Sequence, residues 1–413
     1  MAAQVPEGWT VTGLVETLRR RADVLYAEPD YIGSGGLVPV DPDFTQQWHH
    51  LNRVWTGGTR PADTRMVEAW EITTGSSNVL VAVLDTGLAT GHAEFSGRTV
   101  AGWDFVNDDA NPADDHGHGT WVTGFLAQNG GNTNRGAGVD WRCRLMPLKV
   151  LDAANNGYYS DWAAAIEYAV SNDVDVINLS AGGSSSDTTL SNAIMSAIAQ
   201  GVIFVTISHN DGTSSVRFPG RMAPCITVGA TTTNDTRATF SNWGSTIDLV
   251  APGENVVTVN PNNTLFLGSG TSFAAPQVAG VCALLRALNP NLRQDQTERL
   301  LRAGADDQVG KVTEDTAGFD SYHGYGRLNA RATLELAETA ITGGAWTEQG
   351  LVVSWAAPSN AVARRPFVFE RATGAGGPWT SNAAQVLQYG TNVASCLVTQ
   401  SADAAYFRVS VRP

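Results

Sequence analysis

A chain of 413 residues, 43% hydrophobic and only 16% charged, is large enough for one domain with a substantial core plus smaller attachments. Its formal net charge of −14 argues against a phosphate-binding surface, and no run of Lys and Arg restores one, so no nucleic-acid partner is expected. No stretch of about 18 apolar residues stands out, so no membrane span is expected. Met1 to Trp9 lacks the basic start and apolar run of a signal peptide.

Residues 1–36 hold a short amphipathic stretch, Leu14 to Ala22, an apolar run at Val24 to Tyr26, and a linker, Gly33-Ser34-Gly35-Gly36. From 37 to 340 the pattern alternates. β-Branched runs at Val79 to Leu84, Val174 to Leu179 and Val202 to Ile207 have the length of buried strands, and helical patterns at Asp161 to Ser171 and Leu190 to Ala199 lie between them. This predicts an α/β fold, a parallel sheet with helices on both faces. From 345 to 413 short strand candidates at Leu351 to Trp355, Phe367 to Arg371 and Tyr406 to Val411 are separated by turns such as Gly374 to Pro378, which predicts a small all-β sandwich. Cys143, Cys225, Cys282 and Cys396 follow no metal or redox spacing. The last three sit in apolar runs and read as small buried thiols.

Three segments place catalytic residue types in demanding backbone settings. Asp85 follows the strand Val79 to Leu84 and precedes Thr86-Gly87, so its carboxylate emerges at a strand's carboxyl end, where sites form in parallel sheets. Alone, the tripeptide reads equally well as an Asx turn. His118 is bracketed by Gly117 and Gly119 at a predicted helix start; its neighbour His116 reads as solvated loop. Ser272, in Gly268-Ser269-Gly270-Thr271-Ser272-Phe273-Ala274-Ala275-Pro276, starts a helix framed by small residues. Its backbone N–H there is unsatisfied within the helix and can stabilise an oxyanion with the helix dipole.

These residues resemble the signatures of the subtilisin-like serine proteases, the subtilases. Asp85-Thr86-Gly87, His118-Gly119-Thr120 and Gly270-Thr271-Ser272-Phe273-Ala274-Ala275-Pro276 stand in that family's order, over about residues 37–340. The resemblance implies a serine endopeptidase working by acyl transfer, with Ser272 as nucleophile, His118 as base and Asp85 orienting the imidazole. It implies that Asn210 donates to the oxyanion and that Ser180, Ala181 and Gly182 pair with substrate backbone. His209 stands where the family has glycine, beside the primary specificity pocket.

The same resemblance makes residues 1–36 a remnant of an inhibitory propeptide, cut in or near Gly33 to Leu37, and the protein an exported monomer acting on protein or peptide substrates. It also implies structural calcium. Asp104, Asn107 and Asp109 match a calcium loop of thermitase-like subtilases, although Ala113 stands where a further side-chain ligand belongs. Asp41, Glu94 and Asn132 match a second site.

Arg217 lies in the segment resembling the floor of the specificity pocket. It is expected either to favour Glu or Asp before the scissile bond or to pair with Asp211 or another local acid. Two competing functions remain on the sequence: a catalytically silent scaffold, suggested by His209, and a sugar-binding C-terminal module using Trp346 or Trp379.

Overall fold

The computed structural model describes residues 17–18, 20–21, 37–52 and 62–338, together with the backbone of seven strands between 341 and 411. The first 36 residues form a unit of their own. Of the predicted helix Leu14 to Ala22 only residues 17–18 and 20–21 are described, with Thr17 and Leu18 helical, and the linker and all of the cleavage segment but Leu37 lie outside the described residues.

Seven strands form the main sheet: β1 (Leu80–Asp85), β2 (Trp103–Asp104), β3 (Arg144–Lys149), β4 (Val176–Leu179), β5 (Ile203–Ile207), β6 (Ile226–Thr231) and β7 (Leu249–Pro252). All pair in parallel, in the order β2-β3-β1-β4-β5-β6-β7. Alternate residues of β1 and β5 enter different cores. Val81, Val83, Ile203 and Val205 join one cluster, while Leu80, Ala82, Leu84 and Phe204 join the other. Two buried faces explain why these strands read as continuous apolar runs rather than alternating ones.

Helices cover both faces. α1 (His118–Ala127) and α4 (Thr271–Leu288) lie on the first, α2 (Tyr159–Ser171) and α3 (Thr188–Ala199) on the second. By length and composition α4 could cross a membrane, which the sequence reading overlooked, but 89% of it is buried inside the fold. It is a core helix. A hairpin, β8 (Val256–Val259) and β9 (Leu265–Gly268), leads into it, and α5 (Gln294–Gly304) and α6 (Ala330–Glu338) follow.

After β1 the chain runs outward to β2 and β3, whereas from β4 onward it moves the other way. The carboxyl ends of β1 and β4 therefore flank a topological switch point, the place where such sheets open a crevice.

Beyond residue 340, strands β10 (Ile341–Thr347), β11 (Gly350–Ala356), β12 (Phe367–Ala372), β13 (Thr380–Ser381), β14 (Leu387–Tyr389), β15 (Val393–Val398) and β16 (Tyr406–Val411) form two antiparallel sheets, β10-β11-β15-β14 and β13-β12-β16. Trp379 and the side chains of Trp346 and Cys396 lie outside the description.

Candidate active site

Asp85 is the last residue of β1 and is fully buried. The loop after it is clamped to the start of α1: Gly119 N–H donates to Thr86 Oγ1 at 2.8 Å. A Cβ on Gly119 would stand 2.1 Å from the Gly87 carbonyl oxygen, so the helix comes this near only because that side chain is missing. The approach brings His118, the first residue of α1, beside Asp85, with Nδ1 2.7 Å from Oδ1. Asp85 Oδ1 also accepts the Thr86 N–H at 2.8 Å. A carboxylate on Nδ1 places the ring's proton there and leaves Nε2 as the acceptor. Burial alone would lower the His118 pKa, but the Asp85 carboxylate, with Asp114 behind it, raises it above the ordinary imidazole value.

Asp114 is a residue the sequence reading passed over. Its Oδ1 accepts from Thr86 Oγ1, His116 N and Gly117 N at 2.8, 3.1 and 2.7 Å; its Oδ2 accepts from Thr120 N and Oγ1 at 2.9 and 2.5 Å. Burial opposes ionisation, yet these donors hold the carboxyl below its usual range. An anion at the N-terminus of α1 satisfies donors the helix cannot, and here it ties both halves of the Asp85–His118 contact. Lys149, paired in register with Asp85, is buried behind it and donates to Thr86 O, Leu151 O and Asp115 Oδ1. The acid four residues before His118 was the available signal for Asp114. His116 is exposed, as read, and its Nδ1 lies 3.3 Å from the His118 N–H.

Ser272 is the second residue of α4. Pro276 has no N–H to give the Ser272 carbonyl four residues back. The Ser180 hydroxyl donates to that carbonyl instead, at 3.2 Å, and the Ser272 hydroxyl donates to the Ser180 carbonyl at 3.2 Å. This reciprocal pair fastens the start of the helix to the end of β4. Its neighbour Phe273 stands with its ring centroid 5.9 Å from that of His118. Ser272 and His118 share no hydrogen bond among the described residues, since the serine hydroxyl is turned to Ser180. Such bonds are often long in enzymes without substrate.

Asn210 follows β5. Its Oδ1 accepts from both the N–H and the hydroxyl of Thr271, each at 2.9 Å. Pinning the oxygen fixes the amide plane and leaves Nδ2 as the donor, 3.7 Å from where a Gly270 Cβ would be. Ser180, Ala181 and Gly182 continue from β4, and beyond them Gly183 exchanges both backbone hydrogen bonds with Phe218, at 2.8 and 3.0 Å. Ala181 and Gly182, with Tyr158, Tyr159 and Trp162, line a cavity of about 450 Å³.

His209 is half-buried with φ 86°, the left-handed region that suits glycine, and its Cδ2 lies 3.4 Å from where a Gly182 Cβ would be. Burial, then the Arg217 charge, lower its pKa against the opposing pull of Asp211. Arg217 meets Asp211 with both prongs, Nε to Oδ2 and Nη2 to Oδ1, each at 2.6 Å. Of the two expectations for Arg217, this geometry is the local ion pair.

The predicted calcium ligands differ between the two sites. Asp41 and Glu94 are buried, Asp41 accepts from the N–H groups of Gly131 and Asn132, and Asn132 Nδ2 donates to Glu94 Oε2 at 3.1 Å. Glu94 Oε1 is buried without a hydrogen bond. In the other loop, Asp104 accepts from Val106 N, Asn107 N and Asn107 Nδ2, while Asp109 accepts from Asn111 N. Both Asp104 oxygens are thus satisfied within that loop.

Comparison with known proteins places the chain in a family. The pattern of the subtilase family matches residues 76–326. The chain is 34% identical over 320 residues to the thermophilic serine proteinase of Bacillus sp. (strain AK1), covering 78% of this chain and 75% of that one. It is 33% identical over 298 residues to thermitase of Thermoactinomyces vulgaris, covering 72% of this chain and 99% of thermitase. A solved protease of Pseudoalteromonas arctica superposes with a TM-score of 0.65 at 29% identity, over 73% of this chain and 99% of the other. The chain belongs to the subtilase family of subtilisin-like serine proteases and is a serine endopeptidase.

Proposed function

We propose that this endopeptidase hydrolyses peptide bonds through an acyl-enzyme formed on Ser272. The observation that carries the reading is the 2.7 Å contact from His118 Nδ1 to buried Asp85, which leaves Nε2 to accept a proton. Ser272 rotates from the Ser180 carbonyl to Nε2, loses its proton there and attacks the substrate carbonyl. Asn210 Nδ2 and the Ser272 N–H hold the oxyanion, and His118 returns the proton to the leaving amine. Asp114 acts as a positioning residue. Ser180, Ala181 and Gly182 offer backbone groups to an extended substrate. Residues 1–36 serve as a propeptide remnant, and the acidic chain is an exported protein. Fluorophosphonate labelling of the wild type and of Ser272→Ala tests the reading.

For specificity, the Arg217–Asp211 pair carries no net charge, so the acidic preference that a lone Arg217 implies loses its main support. Asp211→Asn is expected to unmask it: kcat/KM for a Glu peptide should rise roughly fivefold against the Phe peptide, about 1 kcal/mol for a partly exposed charge. An unchanged Glu/Phe ratio would place Arg217 outside the pocket.

Asp41, Glu94 and Asn132 fit a calcium ion better than Asp104, Asn107 and Asp109, because two buried carboxylates and an unsatisfied Glu94 oxygen converge there. Calcium there would neutralise the two acids and take no part in bond cleavage. At a hundredfold excess over Kd it adds about 2.7 kcal/mol. Chelation should lower Tm in wild type and do so less in Asp41→Asn; an unmoved wild-type Tm rules the ion out.

A further inference from the structure

We propose a second metal centre, for a zinc ion, held by Asp315, Asp320 and His323. One ligand atom from each lies within 4.8 Å of the others. His323 is completely buried, yet neither ring nitrogen has a hydrogen-bond partner among the described residues. Asp315 is also buried, with Oδ2 accepting the Gly310 N–H at 2.5 Å and Oδ1 left without a partner. Leaving three such atoms unsatisfied in one place costs about 1–3 kcal/mol each, so the cluster is arranged for something that all three can bind.

Charge points to a cation. Asp315 makes no ion pair with Lys or Arg among the described residues, and the one charged side chain paired there with Asp320 is His323, at 3.8 Å. The nearby arginines are engaged elsewhere: Arg327 with Asp235 and Asp306, Arg237 with Glu314. Asp320 is held in place by the N–H groups of Tyr322 and His323 on Oδ1, at 2.7 and 2.8 Å, and by that of Thr316 on Oδ2.

Donor chemistry selects the ion. One imidazole with two carboxylates suits zinc better than calcium, which prefers six or more oxygens. Tetrahedral ligands at about 2.1 Å from zinc stand about 3.4 Å apart, so the 3.8 Å between His323 Nδ1 and Asp320 Oδ1 needs little contraction. Water supplies the fourth position. A Cβ on Gly310 would fall 2.6 Å from the His323 ring and 3.1 Å from Asp315 Oδ2, so the backbone there is moulded to both ligand side chains. The centre would close the loop of residues 310–323 on itself, just before the segment that joins the sheet edge, where Tyr325 N–H donates to Asp248 O and Leu328 N–H to Val250 O.

The test uses the full chain, stripped of metal and given Zn²⁺ alone, then Ca²⁺ alone, with metal content and Tm measured. One zinc per chain and a Tm rise of several degrees are expected. His323→Gln should weaken zinc binding by about 10²-fold and abolish the rise. Asp315→Asn, a near-isosteric second variant, should weaken it in the same direction. Co²⁺ in place of Zn²⁺ should give visible absorption that disappears in His323→Gln. No stoichiometric zinc, or equal uptake by wild type and both variants, overturns the proposal. So does a Tm response specific to Ca²⁺ that the variants lose.

Discussion

Ser272→Ala is expected to lower kcat by about 10⁶, the size measured for the corresponding serine in subtilisin itself, with the fold intact. The fold should survive because the change removes one hydroxyl and one hydrogen bond, to the Ser180 carbonyl, while the Ser180 bond to the Ser272 carbonyl stays. His118→Ala should cost as much. The double variant should be no slower than either single one, because nucleophile and base act as a unit. The measurement is turnover of a chromogenic peptide by purified variants with matched Tm. If each single loss is tenfold and the two add, Ser272 and His118 do not work together.

The largest stability effect is expected at His49 and His50. Both are fully buried, with ring centroids 4.2 Å apart. Burial, reinforced by His50, pushes His49 well below the ordinary value; burial lowers His50 to about 3 despite its bond to Ala137 O. In the unfolded chain both titrate near 6.5. Below that pH the unfolded chain takes up protons that the native state refuses. The stability is complete above about 6.5 and is lost as pH falls, toward about 3 for His50, at up to about 1.4 kcal/mol per pH unit for each ring. At pH 5 this amounts to about 2 kcal/mol for His50, and His49 acts in the same direction. Asp63 and Asp140, raised to about 6 by burial, titrate in the opposite sense and gain stability as pH falls below 6. The decisive quantity is thus a difference between proteins. His49→Phe removes no side-chain hydrogen bond, since neither ring nitrogen of His49 has one. Relative to wild type it should gain stability as pH falls from 8 to 5, by up to about 1.4 kcal/mol per pH unit below 6.5. A difference that does not change with pH contradicts the assignment.

Much of the site could be read from local sequence because its residues occupy positions with strong local signatures. Asp85 ends an apolar run, His118 sits between glycines, and Ser272 lies among residues small enough for a helix to start against other chain. Strand and helix boundaries moved by one or two residues, as with β1, which begins at Leu80 and includes Asp85. What escaped was non-local. Asp114 reads as one acid in an acidic loop, and only folding gathers five donors around it. Nothing in the local sequence says that His49 and His50 are both buried, or that His323 closes on Asp315 and Asp320. Arg217 shows the limit best: its position was legible, but the partner that decides its charge, six residues back, was one of several acids in reach.

The central claim is that Ser272 is the nucleophile, and the most direct measurement identifies the residue a fluorophosphonate modifies. Wild type should be labelled once, with mass spectrometry placing the adduct on Ser272. Labelling should fall sharply in His118→Ala and disappear in Ser272→Ala. An adduct on any other residue, or undiminished labelling of Ser272→Ala, would contradict the account.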